Sequence, residues 1–281
     1  SLSISESNLD ACGDHGIWAR HAILDLENLV FGNGTEEGID FSATTGMVDG
    51  IDVSAHEGEF AAVHISEIDG QMTLANLNLS AGESSAALVA QMSRNIDIYN
   101  AYISGAPALE MDTVAGMVSG IQMQGDGTGT AIIANNSRGS GALQIVDLSI
   151  NGYSVGIDLQ GESAQATNPR FVSANNLIIA PASISGDGRN FISIGDTIYG
   201  SISLTSEVAL ESELYDSNFD NISIGGHASL ISWKTISFLP TLDGVTTTAQ
   251  VTMPSPLPET FSTGEDEYTS SDSLNPSLII P

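Results

Sequence analysis

Few residues in this chain combine the types and spacing that chemistry requires, and each candidate has a structural competitor. Gly152-Tyr153-Ser154-Val155-Gly156 matches the nucleophile pattern G-x-S-x-G, but that pattern activates a serine only at a strand-to-helix elbow. Here it sits in a turn before another strand, so Ser154 is expected to be a turn residue. Cys12, His15 and His21 carry metal-ligating atoms, yet their spacing fits no zinc pattern and no fourth ligand is evident. An N-terminal cap over residues 1–21, with Ile17 and Trp18 covering the first coil, is the better reading. Gly125-Asp126-Gly127 and Gly186-Asp187-Gly188 begin like calcium loops and then lack the ligands that should follow, which leaves tight turns. His56, His64 and His227 read as surface or turn residues. No catalytic residue and no metal ligand is assigned.

One set of polar residues recurs at coil-like separations: Asp52, Asn76, Asp97, Gln122 and Asp147. Lined up on an outer face, they would make a ladder able to bind calcium or a glycan. The same ladder has a scaffold explanation. Stacked strands lie about 4.8 Å apart, where carboxylates repel, and interleaved amides relieve that repulsion while supplying donors. Four N-x-[ST] sequons, at Asn33, Asn78, Asn135 and Asn221, are glycosylation candidates in a secreted chain.

The elements that would position these groups are short strands. Triplets of apolar, polar and apolar residues fall into two series. The first runs Ile39-Asp40-Phe41, Val63-His64-Ile65, Leu88-Val89-Ala90, Leu109-Glu110-Met111, Ile132-Ile133-Ala134 and Ile157-Asp158-Leu159. The second runs Ile51-Asp52-Val53, Ala75-Asn76-Leu77, Ile96-Asp97-Ile98, Ile121-Gln122-Met123 and Val146-Asp147-Leu148. A period of two buries the flanks of each triplet and exposes its centre. Repetition every 21–25 residues or so marks a solenoid. Strands that repeat in one sense pair in parallel only if the chain winds as a helix, and the crossover rule makes it right-handed. The expected fold is therefore all-β, a right-handed single-stranded parallel β-helix over residues 22–240. An extended acidic arm or linker, rich in Pro, Ser and Thr, follows over 241–281. An antiparallel sandwich is the alternative.

Strands such as Gly38-Ile39-Asp40-Phe41 and Gly156-Ile157-Asp158-Leu159 resemble those of the pectin lyase-like β-helix superfamily, which includes repeat-bearing surface proteins and phage tailspikes. The resemblance is one of architecture, over about residues 22–238. It implies, for the polysaccharide lyases among these proteins, acidic calcium ligands beside an Arg or Lys that removes a proton; the few cations are the place to look, and Arg94 lies close to Asp97 in sequence. The clustered aspartates and Gly-His-Gly of polygalacturonases are absent from the sequence.

Charge narrows the partners. The 281 residues include 35 acidic and 6 basic side chains, a formal net charge of −29. The electrostatic footprint of a nucleic-acid binder is excluded and docking on anionic lipid is disfavoured, while a hydrophobic content of 41% supports a folded core. Cys12 is the single cysteine, so no disulfide closes within the chain, and a buried thiol or an intermolecular partner remains. The chain opens on Ser1 with no signal peptide and no apolar run long enough to span a bilayer, as expected of a processed or excised mature segment. No cofactor is expected, calcium aside. The functional expectation is an extracellular or cell-surface protein of structural or adhesive kind: a stalk, or the subunit of a homopolymeric filament joined end to end. A polysaccharide lyase or hydrolase, or a glycan-binding module using the outer face, is the alternative.

Overall fold

The computed structural model describes residues 1–9, 15–31, 37–53, 61–82, 85–135, 142–160, 170–187 and 191–205, and beyond them the backbone of strands lying within 210–268. It is a single-stranded parallel β-helix. Every described strand pairing is parallel except that of Thr260–Thr263 with Asp266–Tyr268, which excludes the antiparallel sandwich.

Each coil has three faces, A, B and C in chain order. Face A stacks the first triplet series in the expected register: Ile39 lies on Val63, then Leu88, Leu109, Ile132 and Ile157. Ile17 precedes them, and Ile184, Ile202, Ile222 and Val251 continue the column. From Ile39 to Ile202 these side chains are essentially inaccessible to water. Each such burial is worth about 1.5–3 kcal/mol, so the column itself is a main source of stability. The steps are 24, 25, 21, 23 and 25 residues as far as Ile157, then 27 and 18. Later coils thus absorb turns of changed length.

Face B stacks Leu26, Val48, Leu74, Ile98, Val118 and Ile145. Face C stacks Val53, Leu79, Ile103, Met123, Ile150, Ile178 and Ile198. All belong to one hydrophobic core.

The bends are marked by backbone conformation. Between faces B and C, Asn28, Gly50, Asn76, Asn100, Gly120, Asp147, Asn175 and Gly195 all have φ between 52° and 67°. Glycine, asparagine and aspartate tolerate this left-handed region better than other residues. Between faces A and B, His21, Ala43, Glu67, Met92 and Thr113 also have positive φ. There the amides of His21, Ala43 and Glu67 donate to the carbonyls of Ser42, Ser66 and Gln91 one coil on. Inter-coil hydrogen bonding therefore continues through the bend and offsets the conformational cost.

Strands Leu2–Leu9 and His15–Arg20 pair in parallel with Ile23–Phe31 and Glu37–Ser42. Within 241–281, Gln250–Thr252 and Thr260–Thr263 add to the parallel ladder, and Thr260–Thr263 also pairs antiparallel with Asp266–Tyr268.

Candidate functional site

The five residues of the expected outer ladder occupy three separate places. Asp52 and Gln122 share an outward column of face C, which runs Val30, Asp52, Asn78, Tyr102, Gln122 and Ser149. Asp97 lies on face B, in a column with Asp25, Met47, Thr73 and Met117. Asn76 and Asp147 are the positive-φ residues of the B-to-C bend. The second triplet series thus mixes strands of two faces with bends, and the five residues do not stack in one column.

Their contacts are those of a scaffold. Gln71 Nε2 donates to Asp97 Oδ2 at 2.8 Å, and Asn76 Nδ2 donates to Asp49 Oδ1 at 2.5 Å. Asn100 Nδ2 donates in turn to Asn76 Oδ1, so amides link successive bends along the rod. Asp52 Oδ1 is buried without a hydrogen-bond partner. Arg94 is an exposed bend residue whose amide donates to Ile68 O at 2.6 Å, while Asp97 is engaged by Gln71. Among the described residues, no group of three or more His, Cys, Asp and Glu side chains could hold a metal ion.

The other candidates resolve as turns where they are described. Ser154 Oγ donates to Gly129 O at 2.7 Å, immediately before strand Val155–Gln160. Asp126 accepts from the amide and hydroxyl of Thr128 at 3.0 and 2.7 Å, and these bonds hold its carboxyl below the usual aspartate range by favouring the anion. Gly186 and Asp187 end strand Leu177–Asp187, and Gly188 lies outside the described residues. So do Cys12, His56 and His227, and the side chain of His15. His21 is exposed at a bend.

Of the sequons, Asn33 and the side chain of Asn221 lie outside the described residues. Asn78 is half-buried on face C between Asp52 and Tyr102. Asn135 ends a face A strand with its side-chain oxygen buried and unpartnered.

Two constellations escaped the sequence reading. On the outside of face A, Trp18, Asp40 and His64 are neighbours in register. His64 Nδ1 lies 3.0 Å from Asp40 Oδ1, and the Arg20 guanidinium sits 5.1 Å from the Trp18 ring centroid. The signal was present, because Asp40 and His64 are the centres of consecutive triplets. The second constellation is internal. Asn176 Nδ2 approaches Ile145 O, Ser173 Oγ and Asp196 Oδ1 at 2.9–3.1 Å, and Ser193 Oγ lies 2.5 Å from Asp196 Oδ2. All four polar residues are buried. Its signal is a repeated Ser-x-x-[Asn/Asp], Ser173 to Asn176 and Ser193 to Asp196, hidden in a sequence rich in both types.

The described surface thus offers an exposed aromatic with a guanidinium and an imidazole–carboxylate pair on one flat face, and hydrogen-bonded amides at the bends. Comparison with known proteins returns no matching family model, no similar curated protein and no similar solved structure.

Proposed function

We propose that this chain is an extracellular structural or adhesive protein, a cell-surface stalk or the subunit of a homopolymeric filament built by end-to-end contact. The observation that carries the reading is the uninterrupted aliphatic column of face A from Ile17 to Ile202. A solenoid of this kind transmits load and spacing along one axis, because each coil contacts only its neighbours. The acidic surface keeps such rods soluble and apart along their sides, which favours contact at the ends. The likeness to pectin lyase-like surface proteins and tailspikes is part of this proposal and rests on architecture alone.

Negative-stain electron microscopy of the purified chain across a concentration series in physiological salt tests it. Rods joining end to end are the expected result, and single particles at every concentration would remove the filament version. The second reading, glycan binding on the outer face, draws on Trp18, Arg20, Asp40 and His64, since an aromatic ring beside planar polar groups suits a sugar ring. A glycan array repeated with Trp18→Ala separates the two: signal lost in the variant supports an adhesive face, and a blank array leaves the rod as a scaffold.

A further inference from the structure

The interior changes character near the last coils whose side chains are described. On face B the aliphatic column ending at Val118 and Ile145 passes to Ser173 and Ser193. After the B-to-C bend, the inward position held by Leu29, Ile51, Leu77, Ala101, Ile121 and Leu148 passes to Asn176 and Asp196. Two neighbouring columns turn polar together, and the result is a hydrogen-bonded cluster that spans three successive coils.

Asp196 is the hub of that cluster. Asp196 Oδ1 accepts from the Asn176 amide at 2.8 Å and from Asn176 Nδ2 at 3.1 Å, as a carbonyl oxygen with two lone pairs can. Asp196 Oδ2 accepts from Ser193 Oγ at 2.5 Å, a short O–H···O bond. Asn176 carries the link onward: its Oδ1 accepts from the Leu148 amide at 2.8 Å and its Nδ2 reaches Ile145 O at 3.1 Å. Asp196 therefore closes a chain of contacts that ties its own coil to the two before it.

We propose that Asp196 makes the joint between these coils proton-dependent: they are locked together while its carboxyl carries a proton, and loosen locally when it ionises. The carboxyl is fully buried, and putting a charge there costs solvation that hydroxyl and amide donors only partly return. Burial accordingly raises its pKa, against the lowering effect of hydrogen bonds from Ser173, Ser193 and Asn176. Of the titratable groups on the elements packed around it, Asp147 is exposed and Tyr199 half-buried. The side chains of Arg170, Asp187, Glu211, Glu213 and Tyr215 lie outside the described residues. Because the folded state holds the proton more tightly than the unfolded chain, the stability Asp196 contributes is fully present below the ordinary aspartate value of 3.8. It is lost as pH rises through the raised value.

Hydrogen–deuterium exchange read peptide by peptide, corrected for intrinsic rates, tests the proposal between about pH 4 and pH 8. Protection over residues 142–199 should fall with rising pH relative to residues 24–124, about tenfold for each unit by which folding raises the carboxyl pKa. Asp196→Asn, which keeps the shape and cannot ionise, should remove that dependence. Should Asp196→Asn not fold, Asp196→Leu extends the Leu148 column and gives the same readout. Equal pH dependence of the two regions in the unaltered chain, or a dependence over 142–199 that survives in the variant, would overturn the proposal.

Discussion

At the scale of single residues, the stack tolerates or rejects a side chain according to how closely backbones approach. Gly116 has φ of 150°, and a Cβ there would lie 1.8 Å from the carbonyl oxygen of Ile96 on the adjacent coil. Gly127 also has positive φ, yet a Cβ there meets nothing within 4 Å. Gly127→Ala should thus cost only the conformational strain of about 1–2 kcal/mol, whereas Gly116→Ala must force two coils apart. Urea denaturation should show a clearly larger loss for Gly116→Ala, and equal losses would refute the close approach. In the core, Leu109→Ala on face A, at full burial, should cost about 2–5 kcal/mol. The sequence displayed these apolar flanks openly because burial imposes a chemical type. It displayed Asp40 and His64 as well, but their contact depended on knowing that triplet centres stack directly. For the buried cluster around Asp196 the hydrophobic pattern was misleading, since serine, asparagine and aspartate read as loop residues when their hydrogen bonds cannot be seen.

At the scale of the coil, the bends explain why one triplet series was read correctly and the other was not. Along a strand the inward and outward positions alternate strictly, but a residue in the left-handed region turns the chain and resets that alternation. Ala75-Asn76-Leu77 looked like a strand with an outward centre, whereas Ala75 ends face B, Asn76 is the bend, and Leu77 opens face C. Ile96-Asp97-Ile98 and Ile121-Gln122-Met123 are real strands on different faces, which spacing near half a coil could not distinguish. A signal for the bends did exist: Asn, Gly or Asp recurs immediately before the first inward residue of face C, from Asn28 to Gly195. That recurrence has a physical test. At Asn76, φ is 53° and the side chain bridges Asp49 and Asn100. Asn76→Ala loses both the bridge and the tolerance of that φ, for an expected cost of about 1–3 kcal/mol. Asn76→Gly loses only the bridge and should be the milder of the two by thermal denaturation. The reverse order would mean that the left-handed backbone conformation costs alanine little at this bend.

For the whole molecule, the balance of −29 sets the conditions under which the stack holds. Coils repeat at about 4.8 Å, so acidic side chains on neighbouring coils cannot move apart without breaking the backbone ladder. Asp25 and Glu27 on one coil and Asp49 on the next face the same side of the rod, and few cations lie among them. Repulsion of this kind is spread along the rod and is screened over about 10 Å at 0.1 M salt. The unfolding temperature should accordingly rise steadily between about 0.01 and 0.5 M sodium chloride, with most of the gain reached once the screening length falls to the separation of neighbouring columns. Calcium separates screening from binding. The described surface brings no three acidic or imidazole groups together as a metal site, so millimolar calcium at matched ionic strength should add little beyond what sodium gives. A saturable rise in unfolding temperature at submillimolar calcium, reversed by a chelator, would instead assign the cation to residues outside the described set and move the protein toward the calcium-dependent, glycan-directed reading.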